Sequence, residues 1–311
     1  VNAKAKQDAY EQVTEAIIAK LEEGLVPWHR PWAVSADGHL QMPTSMSTKK
    51  PYRGVNVFLL AMQGYTSPWW GTYKQITERG GQVRKGEHGT QIVFWRKFEV
   101  LDGRALKQGE YRNLNAEDRK RVQLRFSLKT FTVFNAEQAD GLESLVPAPI
   151  EDLPGEFKVI DECDYIAMGY LRSEGAPRVE HRGSRACYSP SADKVTMPPR
   201  KSFDGETDYY ATLFHELTHS TGHSTRLDRK EAFGNGFGTE KYSKEELVAE
   251  MGAAMLSAVA GISDSVLDNS ASYVQGWLKA IKGDSKLVVQ AAAQAQKAAD
   301  LILGTTFGEE A

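Results

Sequence analysis

Two histidines and a glutamate stand at a spacing that predicts metal-dependent hydrolysis, His215-Glu216-Leu217-Thr218-His219. Residues four apart on a helix lie one turn apart on the same face. Both imidazoles can then share one ion, with Glu216 beside the water that the ion activates. The metal lowers that water's pKa and Glu216 takes its proton. The lead-in, Tyr209-Tyr210-Ala211-Thr212-Leu213-Phe214, is mostly apolar and compatible with helix, and Gly222 supplies a stop.

A catalytic zinc takes three protein ligands. His223 completes an HExxHxxGH string, but a metzincin pattern wants its third histidine six residues after His219, where the chain has Thr225. A helix ending at Gly222 would turn His223 away. Glu246 and Glu250 are better placed, four apart on a helix expected to start at the cap Ser243 and to run to Gly261. One carboxylate can bind the metal while the other hydrogen-bonds a ligand imidazole and fixes its tautomer. Gly252-Ala253-Ala254 directly after Glu250 predicts close helix packing rather than an exposed face.

Positioning these groups requires a helix from about 204 to 222, the Glu246 helix, and two closing helices near 264–282 and 284–303. A helix over 156–173 and short strands at 177–181, 186–189 and 194–197 precede them. The front of the chain reads differently. An amphipathic helix over 7–24 leads into Val26-Pro27-Trp28-His29-Arg30-Pro31-Trp32, which its prolines should hold extended. Short helices follow at 56–63 and 72–79. A strand over 91–100 sets Ile92, Phe94, Arg96 and Phe98 against Val93, Trp95, Lys97 and Glu99; a charged loop covers 104–121 and a second strand 122–134. The proline-bearing stretch 137–155 reads as a linker. The expected class is α+β, with domains over 1–136 and 156–311.

At 311 residues, 41% hydrophobic and 25% charged, the chain has the composition of a globular protein with a proper core. Neither a signal peptide nor a membrane span is expected, and two cysteines suit a reducing cytoplasm. The net charge of −3 hides an asymmetry: residues 1–130 carry 21 Lys+Arg and 13 Asp+Glu, and the remainder is acidic. Five of the six tryptophans, Trp28, Trp32, Trp69, Trp70 and Trp95, fall in the basic part. Aromatic faces stack on unpaired bases while cations track phosphates. The candidate single-stranded DNA contacts are Trp28, Arg30, Trp32, Lys50, Tyr52, Arg53, Trp69, Trp70, Lys74, Arg84 and Lys85. No helix-turn-helix or zinc-finger pattern is present to read duplex sequence.

The stretch from Glu246 to Ala254 resembles the third-ligand helix of gluzincin-type metallopeptidases, which implies Glu246 as ligand and Glu250 as its support, with a swap left open. Trp28-His29-Arg30-Pro31-Trp32, Pro51-Tyr52-Arg53-Gly54-Val55-Asn56, Ser67-Pro68-Trp69-Trp70-Gly71-Thr72-Tyr73 and the run from Gly81 to Gly89 resemble blocks of the ArdC-type antirestriction proteins. The N-terminal part of TraC-type primases is similar. The resemblance spans about residues 7 to 261. It implies a domain that binds single-stranded DNA, followed by a zincin-like metallopeptidase domain. The implied metal is zinc, with manganese as the alternative, and the implied role is protection of incoming plasmid DNA from restriction during conjugation. In zincins a strand such as Lys194–Met197 forms the edge beside the cleft. The protein substrate is unknown, a restriction-modification component being one candidate. The alternative is a non-proteolytic DNA-binding or primase-associated module with a structural metal site.

Overall fold

A computed structural model describes residues 8–29, 33–34, 40–107, 109–146, 156–229, 240–262 and 271–305. Asp8 and Glu11 form a reciprocal capping box that starts α1 (Ala9–Glu22), whose Val13, Ile17 and Leu21 are buried. Pro27–His29 is a 3-10 turn rather than extended chain. Strands β1 (Ala33–Val34) and β2 (Leu40–Gln41) pair with each other. They are followed by β3 (Thr44–Ser45), α2 (Val55–Ala61), β4 (Trp69–Gly71), α3 (Tyr73–Glu78) and β5 (Gln82–Val83). The long strands β6 (Thr90–Leu101) and β8 (Gln123–Asn135) flank β7 (Arg104–Ala105) and α4 (Ala116–Arg121), so the charged loop expected over 104–121 contains short elements of its own.

These strands form a sheet of order β3-β4-β8-β6-β7. β6 and β8 pair antiparallel from Thr90↔Val133 to Val100↔Gln123. β4 reaches only the last two residues of β8, and β7 only the last two of β6. Between those ends the pair is a two-stranded ribbon among the described residues. Its base is fastened to α2, where Asn56 donates to the Val93 carbonyl at 2.7 Å and accepts from its N–H at 2.8 Å. The stretch expected as a linker is built into the front unit through Val146. Within it β9 (Ala139–Asp140) pairs with β5, and Leu142 packs against Gly81 so closely that a Cβ there would sit 2.8 Å from its side chain. Residues 147–155 lie outside the described residues.

The second half comprises α5 (Glu156–Leu171), β10 (Arg178–His181), β11 (Cys187–Ser189), β12 (Lys194–Met197), α6 (Glu206–Ser220), α7 (Glu240–Ala260), α8 (Ala271–Gly283) and α9 (Leu287–Leu303). Two expectations are corrected. Helix α7 already includes Glu240, which places Ser243 inside it rather than at its cap. In the sheet β10-β12-β11, Lys194–Met197 is the central strand, parallel to β10 and antiparallel to β11, so its main chain is paired on both sides. The edge beside α6 is β11.

One core spans both halves of the chain: Ile17, Leu21 and Phe58 join Phe214, Leu217, Leu247, Met251, Trp277, Val288 and Ala292 in a single cluster. Trp28 stacks edge-on against Phe58 at 6.3 Å and Trp277 at 5.3 Å. The helices that matter most approach where α7 has no side chain. A Cβ on Gly252 would lie 2.5 Å from Thr218 Cγ2, and Thr218 is itself fixed by a 2.7 Å bond to the Phe214 carbonyl. Gly252→Ala is therefore expected to destabilise the protein by about 1–3 kcal/mol through overpacking, measured as a lower urea midpoint. An unchanged midpoint would mean that α6 and α7 do not pack this closely.

Candidate metal centre and nucleic-acid face

His215 and His219 project from the same side of α6 with their Nε2 atoms 3.2 Å apart. From α7, one Glu246 oxygen lies 3.5 Å from His215 Nε2 and the other 3.4 Å from His219 Nε2. These three residues offer ligand atoms all within 4.8 Å of one another. Nitrogen ligands at about 2.0–2.1 Å in a tetrahedron stand roughly 3.3 Å apart, which matches the edges of this triangle. The donor set, two imidazoles and a carboxylate, also fits a small divalent cation that keeps a fourth position open.

The far side of each imidazole faces a carboxylate. Glu250 Oε1 is 3.6 Å from His215 Nδ1, and Glu245 Oε1 is 3.3 Å from His219 Nδ1. The Glu245 contact is a hydrogen bond that can hold the His219 Nδ1 proton and leave its Nε2 lone pair for the ion, whereas Glu250 stands just beyond hydrogen-bond distance of His215 Nδ1. Glu245 is clamped in turn by Arg229, whose Nε and second terminal nitrogen reach its two oxygens at 3.1 and 2.7 Å. Arg229 also donates to Thr221 Oγ1 at 2.8 Å and to the Thr218 carbonyl at 2.9 Å, tying the end of α6 to α7. Sequence reasoning missed Glu245 and Arg229. Glu245 sits beside Lys244 in a charged run that reads as solvent-facing, and Arg229 stands in no recognisable pattern.

Burial disfavours charge on every group here, and local partners decide the outcome. For His219, Glu245 and Glu246 overcome the burial and raise the pKa to about 10. Burial would push Glu246 up, but its bonds to both histidines hold it well below the usual carboxylate range. Glu216 differs: burial dominates and raises its pKa, with the histidines pulling only partly against it. It lies buried on α6, and the main-chain N–H of Tyr188 on β11 points toward it. A carboxylate with raised proton affinity between an ion site and a strand edge suits a general base. β11 is braced against the chain after α6: Arg226 pairs with Asp193, Asp193 accepts from Tyr188 Oη at 2.8 Å, and Arg226 Nε donates to the Ser220 carbonyl at 2.8 Å. His223 is held apart from the cluster by a 2.8 Å contact between its Nδ1 and Thr225 Oγ1.

Among the described residues, the expected nucleic-acid contacts do not form one surface. Trp28, Tyr52 and Trp70 are buried at 2%, 7% and 2% exposure and present no ring face to a base. Trp69 is half-buried under Lys49, whose Nζ lies 4.2 Å above its ring. Arg53 is paired with Asp300 of α9. Arg84 bonds Glu87 at 3.0 Å and the Glu137 carbonyl at 2.5 Å. Lys50, Lys74 and Lys85 are exposed but scattered. Arg30 and Trp32 lie outside the described residues.

An unexpected surface lies on one side of the β6/β8 ribbon. Strand alternation and register place Ile92, Phe94, Arg96 and Phe98 with Phe131, Lys129, Ser127 and Arg125. Phe94 and Phe131 stack edge-to-face at 5.7 Å, yet stay 48% and 47% exposed. Arg96, Arg125 and Lys129 are exposed around them, and the paired residues of that side include no carboxylate. The strand alternation was legible; which side faces solvent was not.

Comparison with known proteins agrees with this architecture. Residues 7–134 match the N-terminal domain of anti-restriction factor ArdC, and residues 168–294 match a zincin-like metallopeptidase family. Crystal structures of the antirestriction ArdC protein from plasmid R388 superpose well. The metal-free form is 39% identical with a TM-score of 0.71, covering 95% of this chain and 97% of that one; the Mn(II)-bound form is 38% identical with a TM-score of 0.68, covering 96% and 98%. The uncharacterized protein y4eC of Sinorhizobium fredii is 35% identical over 94% of this chain and 91% of its own length. A DNA primase TraC of Escherichia coli is 38% identical over 97% of this chain, which spans only 27% of the primase. Among the described residues no helix is long and apolar enough to cross a membrane. By sequence and by fold, the chain belongs to the ArdC family of antirestriction proteins, with an ArdC-type N-terminal domain followed by a zincin-like metallopeptidase domain.

Proposed function

We propose that this protein binds single-stranded DNA and hydrolyses a peptide bond in a protein met there, protecting incoming plasmid DNA from restriction during conjugation. The observation that carries the peptidase reading is the closed set of His215, His219 and Glu246, with Glu216 buried beside it and beside the edge of β11. Zinc, or manganese as in the R388 relative, would be held by His215, His219 and Glu246. Such an ion supplies Lewis acidity that activates water and polarises a carbonyl. The edge of β11 would align an extended peptide by main-chain pairing. Glu216 takes the water's proton as the water adds to the carbonyl, then delivers it to the departing amine nitrogen. Glu245 holds the His219 imidazole in the required tautomer, and Glu250, 3.6 Å from His215 Nδ1, would do the same for His215 on a small approach. The Phe94–Phe131 side of the ribbon, with its three cations, supports the single-stranded DNA reading. A soluble cytoplasmic protein would encounter both substrates.

Glu216→Ala is expected to keep its metal and to lose hydrolysis of candidate host proteins and restriction protection together. Full protection by this variant would leave the peptidase without a role. Metal titration separates the carboxylates. Glu246→Gln should abolish tight binding, whereas Glu250→Gln and Glu245→Gln should weaken it about 10–100-fold. Full occupancy in Glu246→Gln would move the third ligand elsewhere. For the ribbon, Phe94→Ala should reduce affinity for an oligo-dT strand by about 1–3 kcal/mol with little change for duplex. Equal loss for both would point to a purely electrostatic surface.

A further inference from the structure

The other side of the ribbon does not face open solvent along its whole length. Val93, Trp95 and Leu128 there form one wall of a cleft of about 270 Å³ whose opposite wall is α9, through Val289, Ala293, Gln296 and Lys297. The segment from Arg53 to Asn56 closes one end. We infer that this cleft receives one nucleotide of a DNA strand bound on the ribbon, its base against Trp95 and its phosphate near Lys297. The inference rests on the single-stranded DNA reading above and adds a subsite to it.

Three features point to this occupant. Trp95 lines the cleft and is nevertheless 55% exposed, one edge contact being to Tyr10 at 6.1 Å. A large ring left open beside apolar walls is what a base can stack on. Lys297 is exposed at the cleft and supplies its cation; Arg53 also lines it, with its charge answered by Asp300. Third, Trp95 directly follows Phe94 on β6, and no described strand pairs with the outer edge of β6 between Phe94 and Phe98, the Glu99 carbonyl being the first taken up, by the Leu106 N–H at 2.8 Å. A flexible strand leaving the Phe94 side can turn around that edge and enter the cleft without displacing protein structure.

The cleft also predicts how the base is read. Its amide groups already have partners within the protein. Asn56 is bonded to both main-chain groups of Val93; Gln296 accepts from the Gly54 N–H at 3.0 Å and donates to Asp300 at 3.1 Å. Both amide oxygens and one N–H of each amide are engaged in holding α2 to β6 and α9, so the base is held mainly by its face. Recognition there is indifferent to sequence, as a protein guarding arbitrary transferred DNA requires.

The test uses the full chain and fluorescent single-stranded oligonucleotides of mixed sequence. Ala293→Trp fills the cleft, and Lys297→Glu reverses its charge at an exposed position, so neither disturbs the core. Each is expected to weaken binding at least fivefold with an unchanged melting temperature. Lys297→Glu should also lower the slope of log affinity against log salt by about one. Irradiation of a bromodeoxyuridine-substituted strand should crosslink to Trp95 or to the 289–297 segment. If both variants bind within twofold of wild type while Phe94→Ala binds poorly, the ribbon reading stands and the cleft does not. If wild type binds no single strand, the DNA reading itself fails.

Discussion

Buried negative charge is the constraint on which the rest of this structure depends. Glu216, Glu245, Glu246 and Glu250 are each at most 7% exposed and crowd around two imidazoles. Arg229, itself 7% exposed in its side chain, answers one of them. Carboxylates this far from water are costly unless paired and hydrogen-bonded. Neutral histidines do not supply the missing positive charge. The protein can protonate His219, whose pKa the carboxylates raise to about 10, or it can hold a cation there. A divalent ion satisfies the same field while leaving both Nε2 lone pairs engaged, so proton and metal compete for one place. The donor geometry and the charge balance therefore lead independently to the same ion.

That arrangement is only as good as the contact between α6 and α7. Gly252 lets the two helices approach to where Glu246 reaches both histidines, and Arg229 then locks the end of one helix to the other. The front half of the chain is part of this support. α1 and Trp28 enter the core that also buries Trp277 and the inner face of α9, and α9 runs along α7. The chain-order division into a basic DNA-binding part and an acidic peptidase part is thus not a division in packing.

What could be read from sequence follows from what periodicity encodes. Helical spacing put His215 with His219 and Glu246 with Glu250, because a four-residue interval fixes a shared face whatever the tertiary context. Glu245 could not be found that way: it shares no four-residue partner among the ligands, and its role exists only because Arg229 folds back onto it. Strand position was equally hidden. Lys194–Met197 looks like an edge strand until β10 is seen paired along its other side, an association between segments that local pattern does not encode. Tryptophan counting does not separate surface rings from core rings, for a related reason. Composition marks aromatic residues near cations but not which of them the core claims, and here Trp28 and Trp70 are core while Phe94 and Phe131 remain outside.

The short edge of β11 bears on how such a site could choose a substrate. Three residues offer a few main-chain hydrogen bonds, each worth about 0.5–1.5 kcal/mol net. That is too little to select one protein among many by peptide sequence. A surface that held DNA on the same core, as proposed above, would change the problem. Any protein brought to that DNA meets the site at an effective concentration set by tethering rather than by affinity for β11. On the proposed reading, then, selectivity lies with the ribbon and its nucleic acid, and the metal centre can remain a nearly indifferent blade. A site of that kind tolerates a shallow edge, and it needs the shared core that joins it to the front of the chain.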